Sequence, residues 1–284
     1  MTSNQALYRA KHKLSAANIE NASLEAELLL CHVLGISRIE LYSEPERGLD
    51  SAEMRELQHL ILRRLHHEPI AYILECCQFY GIDFYVDQDV LIPRPETELL
   101  VEEAIEVAHR SFPLGGQLTI ADIGTGSGAI AVSLAVALPG AAIYATDISA
   151  SALRVARINC QRHKVDERIT LLCGDLLEPL PEPADIVVTN LPYVRSCDLK
   201  TLSQEITSFE PMTALAGGED GLAKIRCLLY QLPGRVYPRG CLLLEVGQGQ
   251  AKAVESLVDS CFPQANIRSI ADLSGIARAI KVML

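Results

Sequence analysis

The stretch Leu118-Thr119-Ile120-Ala121-Asp122-Ile123-Gly124-Thr125-Gly126-Ser127-Gly128 decides the fold of this chain. Its first six residues are almost continuously apolar, as expected for a strand of a parallel sheet that is covered on both faces. Because the glycines that follow have no Cβ, the backbone can turn sharply there and come close to a ligand. An apolar helix is predicted from Ala129. The pattern indicates an α/β domain that binds a ligand at its first turn.

Strand and helix patterns alternate after Gly115-Gly116. Strands are predicted at 118–123, 141–146, 168–173, 184–189 and 240–246, with helices between them. A terminal antiparallel hairpin is predicted over 266–284, around Asp272-Leu273-Ser274-Gly275. Alternation of this kind is typical of a parallel sheet with helices on both faces. We therefore expect a Rossmann-like α/β domain with a seven-stranded sheet.

The first 75 residues are predicted to form a small helical bundle. Four apolar residues recur at helical spacing, with Glu25, Glu27 and Arg38 elsewhere around the axis: Leu24, Leu28, Cys31 and Leu34. A second helix is predicted to begin at the capping-box pattern of Asp50 to Glu53 and to end before Pro69. Its apolar stripe is Leu57, Leu60, Ile61 and Leu65. No catalytic motif falls in this bundle, and we expect it to be a packing or docking module.

The segment 76–95 is interpreted as a bridge between the helical bundle and the α/β domain. Aromatic and β-branched residues surround Gly81 and predict a β-hairpin. Pro93 and Pro95 prevent helix formation until Pro95, which suits a first helical position, and a helix is predicted over about 96–110. The predicted organisation is a helical domain at 1–75, a hairpin linker at 76–95 and the α/β domain at 96–284.

Composition points to a soluble globular protein, with 284 residues, 49% hydrophobic and 21% charged. No run approaches the roughly 18 uncharged apolar residues that a membrane span needs. The polar start lacks the apolar stretch of a signal peptide, so a cytoplasmic location is expected. The formal net charge is −11 and no basic run occurs. Since nucleic-acid binding usually needs a basic patch, a protein or small-molecule substrate is favoured.

The nine cysteines and seven histidines show no metal-site spacing, and no CxxC occurs. Neither a zinc cluster nor a disulfide framework is predicted. The cysteines are expected to be reduced and mostly buried, including four with apolar sequence neighbours: Cys160, Cys173, Cys227 and Cys241. His66-His67 beside Arg63-Arg64 is interpreted as a solvated helix end.

Acidic residues follow successive strands of the predicted sheet. Asp147 ends the second strand, where a carboxylate can accept hydrogen bonds from both ribose hydroxyls. The glycine pattern alone also fits a dinucleotide cofactor, so a nicotinamide enzyme is an alternative. However, Asp122 stands where it can meet a cationic amino-acid group and would repel a pyrophosphate. The turn at Asp175-Leu176 adds a third acid, beside the expected adenine position. Together these features favour S-adenosylmethionine.

The fourth strand, 184–189, leads into Asn190-Leu191-Pro192-Tyr193. A carboxamide nitrogen is a poor nucleophile, because its lone pair is delocalised into the carbonyl. The Asn190 side-chain oxygen and the Leu191 carbonyl can accept both N–H groups of such an amide, and Tyr193 can form an aromatic wall over it. Placing the nitrogen about 3 Å from a methyl donor is mainly catalysis by proximity and orientation.

The chain resembles the peptide chain release factor N5-glutamine methyltransferases over roughly 70–282. The resemblance is carried by several motifs besides the tetrad at 190–193: Leu91-Ile92-Pro93-Arg94-Pro95-Glu96-Thr97-Glu98, Asp122-Ile123-Gly124-Thr125-Gly126-Ser127-Gly128, Asp147-Ile148-Ser149 with Ala152-Leu153, Phe209-Glu210-Pro211 with Ala214-Leu215, Gly217-Gly218-Glu219-Asp220-Gly221-Leu222, Leu244-Glu245-Val246-Gly247 with Gln250, and Asp272-Leu273-Ser274-Gly275. The tetrad alone is shared with adenine-N6 DNA methyltransferases.

The resemblance implies transfer of a methyl group from S-adenosylmethionine, which leaves S-adenosylhomocysteine, to the glutamine of the Gly-Gly-Gln motif in class I release factors. The helical domain is implied to dock the release factor, and the segment 92–97 to close over the methionine end and the substrate. The expected catalytic residues are Asn190, Leu191, Pro192 and Tyr193. The expected cofactor-binding residues are Thr97, Asp122, Gly124, Thr125, Gly126, Ser127, Gly128, Asp147, Asp175, Leu176 and Asn190. No metal, membrane or nucleic-acid partner is expected, and a monomer is the default.

One residue departs from the family pattern, which is normally Asn-Pro-Pro-Tyr. Leu191 replaces the first proline, so Asn190 loses the bias toward extended conformations that a following proline imposes. The looser loop is expected to cost roughly 0.5–1 kcal/mol of preorganisation. The backbone carbonyl is kept, and reduced or comparable activity is predicted.

Two other functions are kept as alternatives. One is an adenine-N6 nucleic-acid methyltransferase, because adenine's exocyclic amine presents the same chemical problem as an amide. The other is a catalytically silent cofactor-binding protein, which only Leu191 favours. Incubation with a release factor and labelled cofactor distinguishes them.

Overall fold

The computed structural model describes residues 1–111 and 118–284, and Gly115-Gly116 therefore lies outside the described residues. The chain divides into two compact units. The first comprises Met1–Cys76 together with Ser203–Phe209, and the second comprises Cys77–Leu202 and Glu210–Leu284.

The helices of the described residues are α1 Ser3–Ala16, α2 Ala22–Leu34, α3 Arg38–Ser43, α4 Ser51–Leu65, α5 Ile70–Ile73, α6 Glu98–Ser111, α7 Ala129–Ala137, α8 Ala150–Arg162, α9 Gln204–Phe209, α10 Ala223–Gln231 and α11 Ala251–Cys261. The strands are β1 Cys77–Phe79, β2 Ile82–Phe84, β3 Leu118–Ile123, β4 Ala141–Asp147, β5 Ile169–Cys173, β6 Ala184–Thr189, β7 Val236–Glu245, β8 Asn266–Ala271 and β9 Ala277–Met283.

The first unit is a helical bundle, as predicted. Asp50 caps α4, because its Oδ1 accepts hydrogen bonds from the backbone N–H groups of Ala52 (2.7 Å) and Glu53 (2.8 Å). The predicted stripe of α4 is largely correct, since Leu57, Leu60 and Ile61 are buried.

The predicted buried face of α2 is wrong in part. Leu24 is 42% exposed, whereas Glu25 and Glu27 are buried. The reason is pairing with arginine: Nε of Arg64 lies 2.5 Å from Oε2 of Glu25, and Nη2 of Arg38 lies 2.5 Å from Oε2 of Glu27. Charges are tolerated inside a protein when they are paired and hydrogen-bonded.

The short helix α9 belongs to the first unit, although it follows β6 in the chain. Its Glu205 contributes Oε1 to Nη2 of Arg64 at 2.6 Å. Arg64 is therefore bound by two carboxylates and is only 3% exposed. The interpretation of Arg63-Arg64 as part of a solvated helix end is wrong for Arg64.

The second unit is built on a seven-stranded sheet in the order β5-β4-β3-β6-β7-β9-β8, which confirms the predicted fold. The first five strands of that order are parallel, and β9 is antiparallel to both β7 and β8. Helices α6, α7 and α8 pack in one hydrophobic cluster, and α10 and α11 in another. Strand β7 starts four residues before the predicted 240, where Val236 pairs with Ala184 across a register shift.

The bridge forms the short antiparallel hairpin β1–β2. Residues Pro95–Thr97 form a 3₁₀ turn, so helix α6 begins at Glu98 rather than at 96. Because α6 follows this turn directly, the rigid helix fixes the position of Thr97.

The prediction of mostly buried cysteines is wrong. Cys31, Cys160 and Cys241 are buried, but Cys173 and Cys227 are exposed. Apolar sequence neighbours did not indicate burial there, because neighbouring residues point to different sides of a strand or helix. Within the described part of the chain, the helices are too short or too polar to cross a lipid bilayer.

Candidate functional site

The turns after the carboxyl ends of β3, β4, β5 and β6 line one cavity of about 1030 Å³, measured with its open mouth. Parallel strands end at the same edge of a sheet, and ligands of such sheets bind there. The cavity brings together eleven of the predicted site residues: Thr97, Gly124, Thr125, Gly126, Ser127, Asp147, Asp175, Leu176, Asn190, Leu191 and Pro192. Three others, Asp122, Gly128 and Tyr193, do not line it.

Asp122 is buried beneath the glycine loop with no exposed surface. Its Oδ2 accepts hydrogen bonds from the Thr125 hydroxyl (2.6 Å) and from the Ala131 backbone N–H (3.1 Å). Among the described residues, Oδ1 has no hydrogen-bond partner. Burial raises the pKa of this carboxyl to about 7. The structure thus places Asp122 as the group that holds the loop, and not on the cavity wall.

Two glycines of the loop differ in what surrounds them, although both have positive φ angles. At Gly126 (φ 55°) an added Cβ would meet no atom within 4 Å, and since Gly126 lines the cavity, the methyl group would occupy ligand space. At Gly128 (φ 81°) it would lie 3.3 Å from the backbone of Ala156 in α8. Gly128 therefore allows two helices to approach, and Gly126 leaves room for a ligand.

Asp147 joins the ends of β3 and β4. Its Oδ2 accepts a hydrogen bond from the Gly126 backbone N–H (2.9 Å), and its Oδ1 accepts one from the Ser149 backbone N–H (2.9 Å). Burial raises the pKa of this carboxyl, although the backbone hydrogen bonds oppose that shift. Each oxygen keeps further acceptor capacity, so a ligand hydroxyl can also bind.

The Asn190 side chain is held by a hydrogen bond to Thr97, which in turn binds Glu245. Its Nδ2 lies 3.1 Å from the hydroxyl oxygen of Thr97, and that hydroxyl lies 2.6 Å from Oε2 of Glu245. Glu245 ends β7 and is 4% exposed. Burial raises its pKa to about 7, against the hydrogen bonds from Thr97 and Tyr193. In the sequence, Glu245 lies in a motif shared with the family, and no role was predicted for it; the signal that could have identified it is an acid at the end of an apolar strand.

Tyr193 is fixed at both ends. Its hydroxyl hydrogen-bonds to Glu245, and burial raises the pKa of the phenol to about 12. Its backbone carbonyl accepts a hydrogen bond from Nε2 of Gln250 (3.0 Å). An added Cβ at Gly221 would stand 2.3 Å from that carbonyl, so the glycine is needed for this close approach.

Leu191 turns its side chain into the protein. It is 5% exposed, belongs to the hydrophobic cluster with Val187 and Leu222, and contacts Gly124, whose added Cβ would lie 3.4 Å from Leu191 Cδ2. A leucine therefore occupies this position of the turn as a core residue.

The segment before α6 borders the cavity and is held by Glu210. Nη2 of Arg94 lies 2.5 Å from Oε1 of Glu210, and the Ile92 backbone N–H donates to Oε2 at 3.4 Å. Arg94 lines the cavity, and the Glu210 side chain is almost fully buried. Both residues lie in motifs shared with the family, but their pairing was not predictable from the sequence. In the described residues, no group of three or more His, Cys, Asp or Glu side chains is arranged to hold a metal ion.

Two family models match the chain: the PrmC N-terminal domain over residues 5–74 and the methyltransferase small domain over residues 97–209. The release factor glutamine methyltransferase of Moorella thermoacetica is 41% identical over 276 residues, which cover 97% of this chain and 96% of that protein. The release factor glutamine methyltransferase of Geobacter sulfurreducens is 40% identical over 242 residues, which cover 85% and 82%.

Among solved structures, the hMettl16 catalytic domain in complex with MAT2A 3'UTR hairpin 6 has a TM-score of 0.56 to this chain. The two are 14% identical, and the match covers 82% of this chain and 81% of that one. At this level of identity the likeness shows a shared fold alone.

Proposed function

Because this chain belongs to the release factor glutamine methyltransferase family, we propose that it transfers a methyl group from S-adenosylmethionine to the side-chain amide nitrogen, N5, of a release factor glutamine. The acceptor is the glutamine of the Gly-Gly-Gln motif in class I factors. The single observation that carries the residue assignment is the orientation of Asn190 at the cavity, with its Nδ2 bound to Thr97.

The residues at the cavity fit the proposed cofactor. Space at Gly126 admits a ligand against the backbone, and Asp147 at the end of β4 can accept hydrogen bonds from ribose hydroxyls. Asp175 and Leu176 line the same wall and suit an adenine ring. When bound, the sulfonium supplies an electrophilic methyl group and leaves as a neutral sulfide.

The chain's own part in the reaction is to bind and align the amide. We assign Oδ1 of Asn190 and the backbone carbonyl of Leu191 as acceptors for the two N–H groups of the glutamine amide. Two such hydrogen bonds fix the rotation of the planar group, so the nitrogen faces the methyl group in line with its bond to sulfur. Because the leaving group is neutral, no strong base is needed before transfer, and the methylated nitrogen releases its extra proton to solvent afterwards.

Asp122 and Tyr193 support this site from outside the cavity wall. Asp122 keeps the glycine loop in place through Thr125 and Ala131. The Tyr193 hydroxyl binds Glu245, which also binds Thr97. The helical unit is proposed to dock the body of the release factor, and the enzyme to act as a monomer in the cytoplasm.

The test is incubation of the full chain with a purified class I release factor and methyl-labelled S-adenosylmethionine, followed by mass spectrometry of the peptide that contains Gly-Gly-Gln. The expected result is one methyl group on the glutamine side chain. A release factor with that glutamine replaced by alanine is the matched control and should remain unlabelled. Labelling of an adenine-containing DNA or RNA, with an unmodified release factor, would overturn the proposal.

We expect Asn190→Ala to lower kcat by orders of magnitude, since the amide loses the side chain that orients it. The Kd for S-adenosylhomocysteine, measured by calorimetry, should change little. Equal turnover of the variant and the wild type would mean that the amide is held elsewhere.

A further inference from the structure

The side chains of Glu245, Thr97 and Asn190 come from distant parts of the second unit and are linked by two consecutive hydrogen bonds. We call these three residues the hydrogen-bonded chain. Glu245 and Thr97 are 4% and 5% exposed; Thr97 and Asn190 both line the cavity, and Glu245 lies behind them. The distances are 2.6 Å between Glu245 Oε2 and Thr97 Oγ1, and 3.1 Å between Thr97 Oγ1 and Asn190 Nδ2.

The direction of these hydrogen bonds follows from the number of hydrogens that each group can donate. An ionised carboxylate can only accept, so the single hydrogen of the Thr97 hydroxyl is directed to Glu245. The Thr97 oxygen can then only accept from Asn190, which must present its NH₂ group. The opposite end of the Asn190 amide, Oδ1, is thereby the end available to a ligand.

We propose that Glu245 and Thr97 are positioning residues that set the rotation of the Asn190 amide, so that its oxygen accepts an N–H of the substrate glutamine. This inference rests on the proposed function and adds to it the reason why the oxygen, and not the NH₂ group, faces the substrate. A flipped Asn190 would present donors to the donors of the glutamine amide, and that complex would lack the alignment that transfer requires.

The charge state of Glu245 affects the arrangement. The groups that act on it are Tyr193 of the tetrad, Glu96 of the turn before α6 and Arg278 of β9. Burial raises its pKa to about 7. A protonated Glu245 can donate to Thr97, whose hydroxyl can then donate to Asn190 and favour the flipped amide. We therefore expect kcat to rise with pH toward a plateau above about 7.

The kinetic test compares Thr97→Val, which keeps the shape and removes the hydroxyl, with Thr97→Ser, which restores the hydroxyl. Thr97→Val should lower kcat about 10- to 100-fold, the scale of a misplaced reacting group, with a smaller change in the KM for cofactor. Thr97→Ser should recover most of the activity. Thr119→Val, at another buried threonine at the start of β3, is the matched control and should behave as wild type. A fully active Thr97→Val would overturn the inference.

A second measurement follows the Asn190 side chain without any substrate. In protein labelled with ¹⁵N-asparagine, the NH₂ signals of Asn190, assigned by their loss in Asn190→Ala, should shift with pH in the wild type. They should lose that response in Glu245→Gln, whereas Asp122→Asn should keep it. If this response is absent from the wild type, the inference fails even when the release factor is methylated. If the response is present but no release factor is methylated, the proposed function fails and the hydrogen-bonded chain stands.

Discussion

Oδ2 of Asp147 accepts a 2.9 Å hydrogen bond from the backbone N–H of Gly126, so the acid that ends β4 directly supports the loop that follows β3. The same carboxylate therefore has two tasks: it holds the loop and, by our proposal, it binds ribose.

Replacing Asp147 should mainly weaken cofactor binding, with a smaller effect on the free energy of unfolding. Hydrogen bonds to a charged group contribute about 1.5–3 kcal/mol, so Asp147→Ala should raise the Kd for S-adenosylhomocysteine roughly 10- to 100-fold in calorimetry. The control is Asp175→Ala at the neighbouring strand end, where the carboxylate is more exposed and a smaller effect is expected. An unchanged Kd for Asp147→Ala would remove the ribose assignment.

Gly126→Ala and Gly128→Ala form a matched pair with different expected results. Both positions have positive φ angles, so each alanine costs about 1–2 kcal/mol of backbone strain. Gly126→Ala should in addition lose cofactor affinity, because its methyl group stands in the cavity. Gly128→Ala should lose more stability in urea unfolding, because its methyl group meets the Ala156 backbone. Equal affinity in both variants would contradict this division of roles.

Leu191→Pro should leave the enzyme active and make it less stable. The proline would hold Asn190 in an extended conformation and raise or preserve kcat. Loss of the buried leucine side chain should lower the free energy of unfolding by about 1–3 kcal/mol, measured by urea denaturation. If only the proline variant showed activity, the view that the native leucine is compatible with catalysis would be wrong.

The contribution of Asp122 to stability should fall as the pH rises from about 4 to about 7. Asp122 has an ordinary pKa of 3.8 and a pKa of about 7 when folded. Between these values the unfolded chain has released the proton and the folded chain keeps it, so rising pH favours unfolding until the folded group also ionises. Glu245, also raised to about 7, adds to the same trend. Urea unfolding at several pH values should show a flatter slope for Asp122→Asn, and an unaltered slope would argue against the buried carboxyl as its source.

The sheet and the glycine loop were predictable because their signals are local. Each parallel strand is a short apolar run, and the loop after β3 carries its glycines in sequence. The predicted residues of the cavity wall that follow directly after a strand were found in the same way, whereas Thr97, just before α6, was expected only from the family resemblance.

The supporting contacts were not predictable, because they join residues far apart in the chain. Thr97 and Glu245 are 148 positions apart, and Arg64 and Glu25 are 39 positions apart. Sequence patterns place an acid on a strand or helix but do not name its partner. For the same reason Glu25 was assigned to the wrong face of α2, and the inward position of Asp122 beneath its loop was missed.

The inclusion of Ser203–Phe209 in the first unit limits how these enzymes can be recombined. Consider a hybrid that joins the first 76 residues of one family member to the remainder of another. Its helical unit would combine residues 1–76 of the first parent with the segment 203–209 of the second. Its Arg64 would face whatever residue the second parent has in place of Glu205. Exchange of the complete helical unit between relatives therefore requires two transplanted segments, residues 1–76 and 203–209.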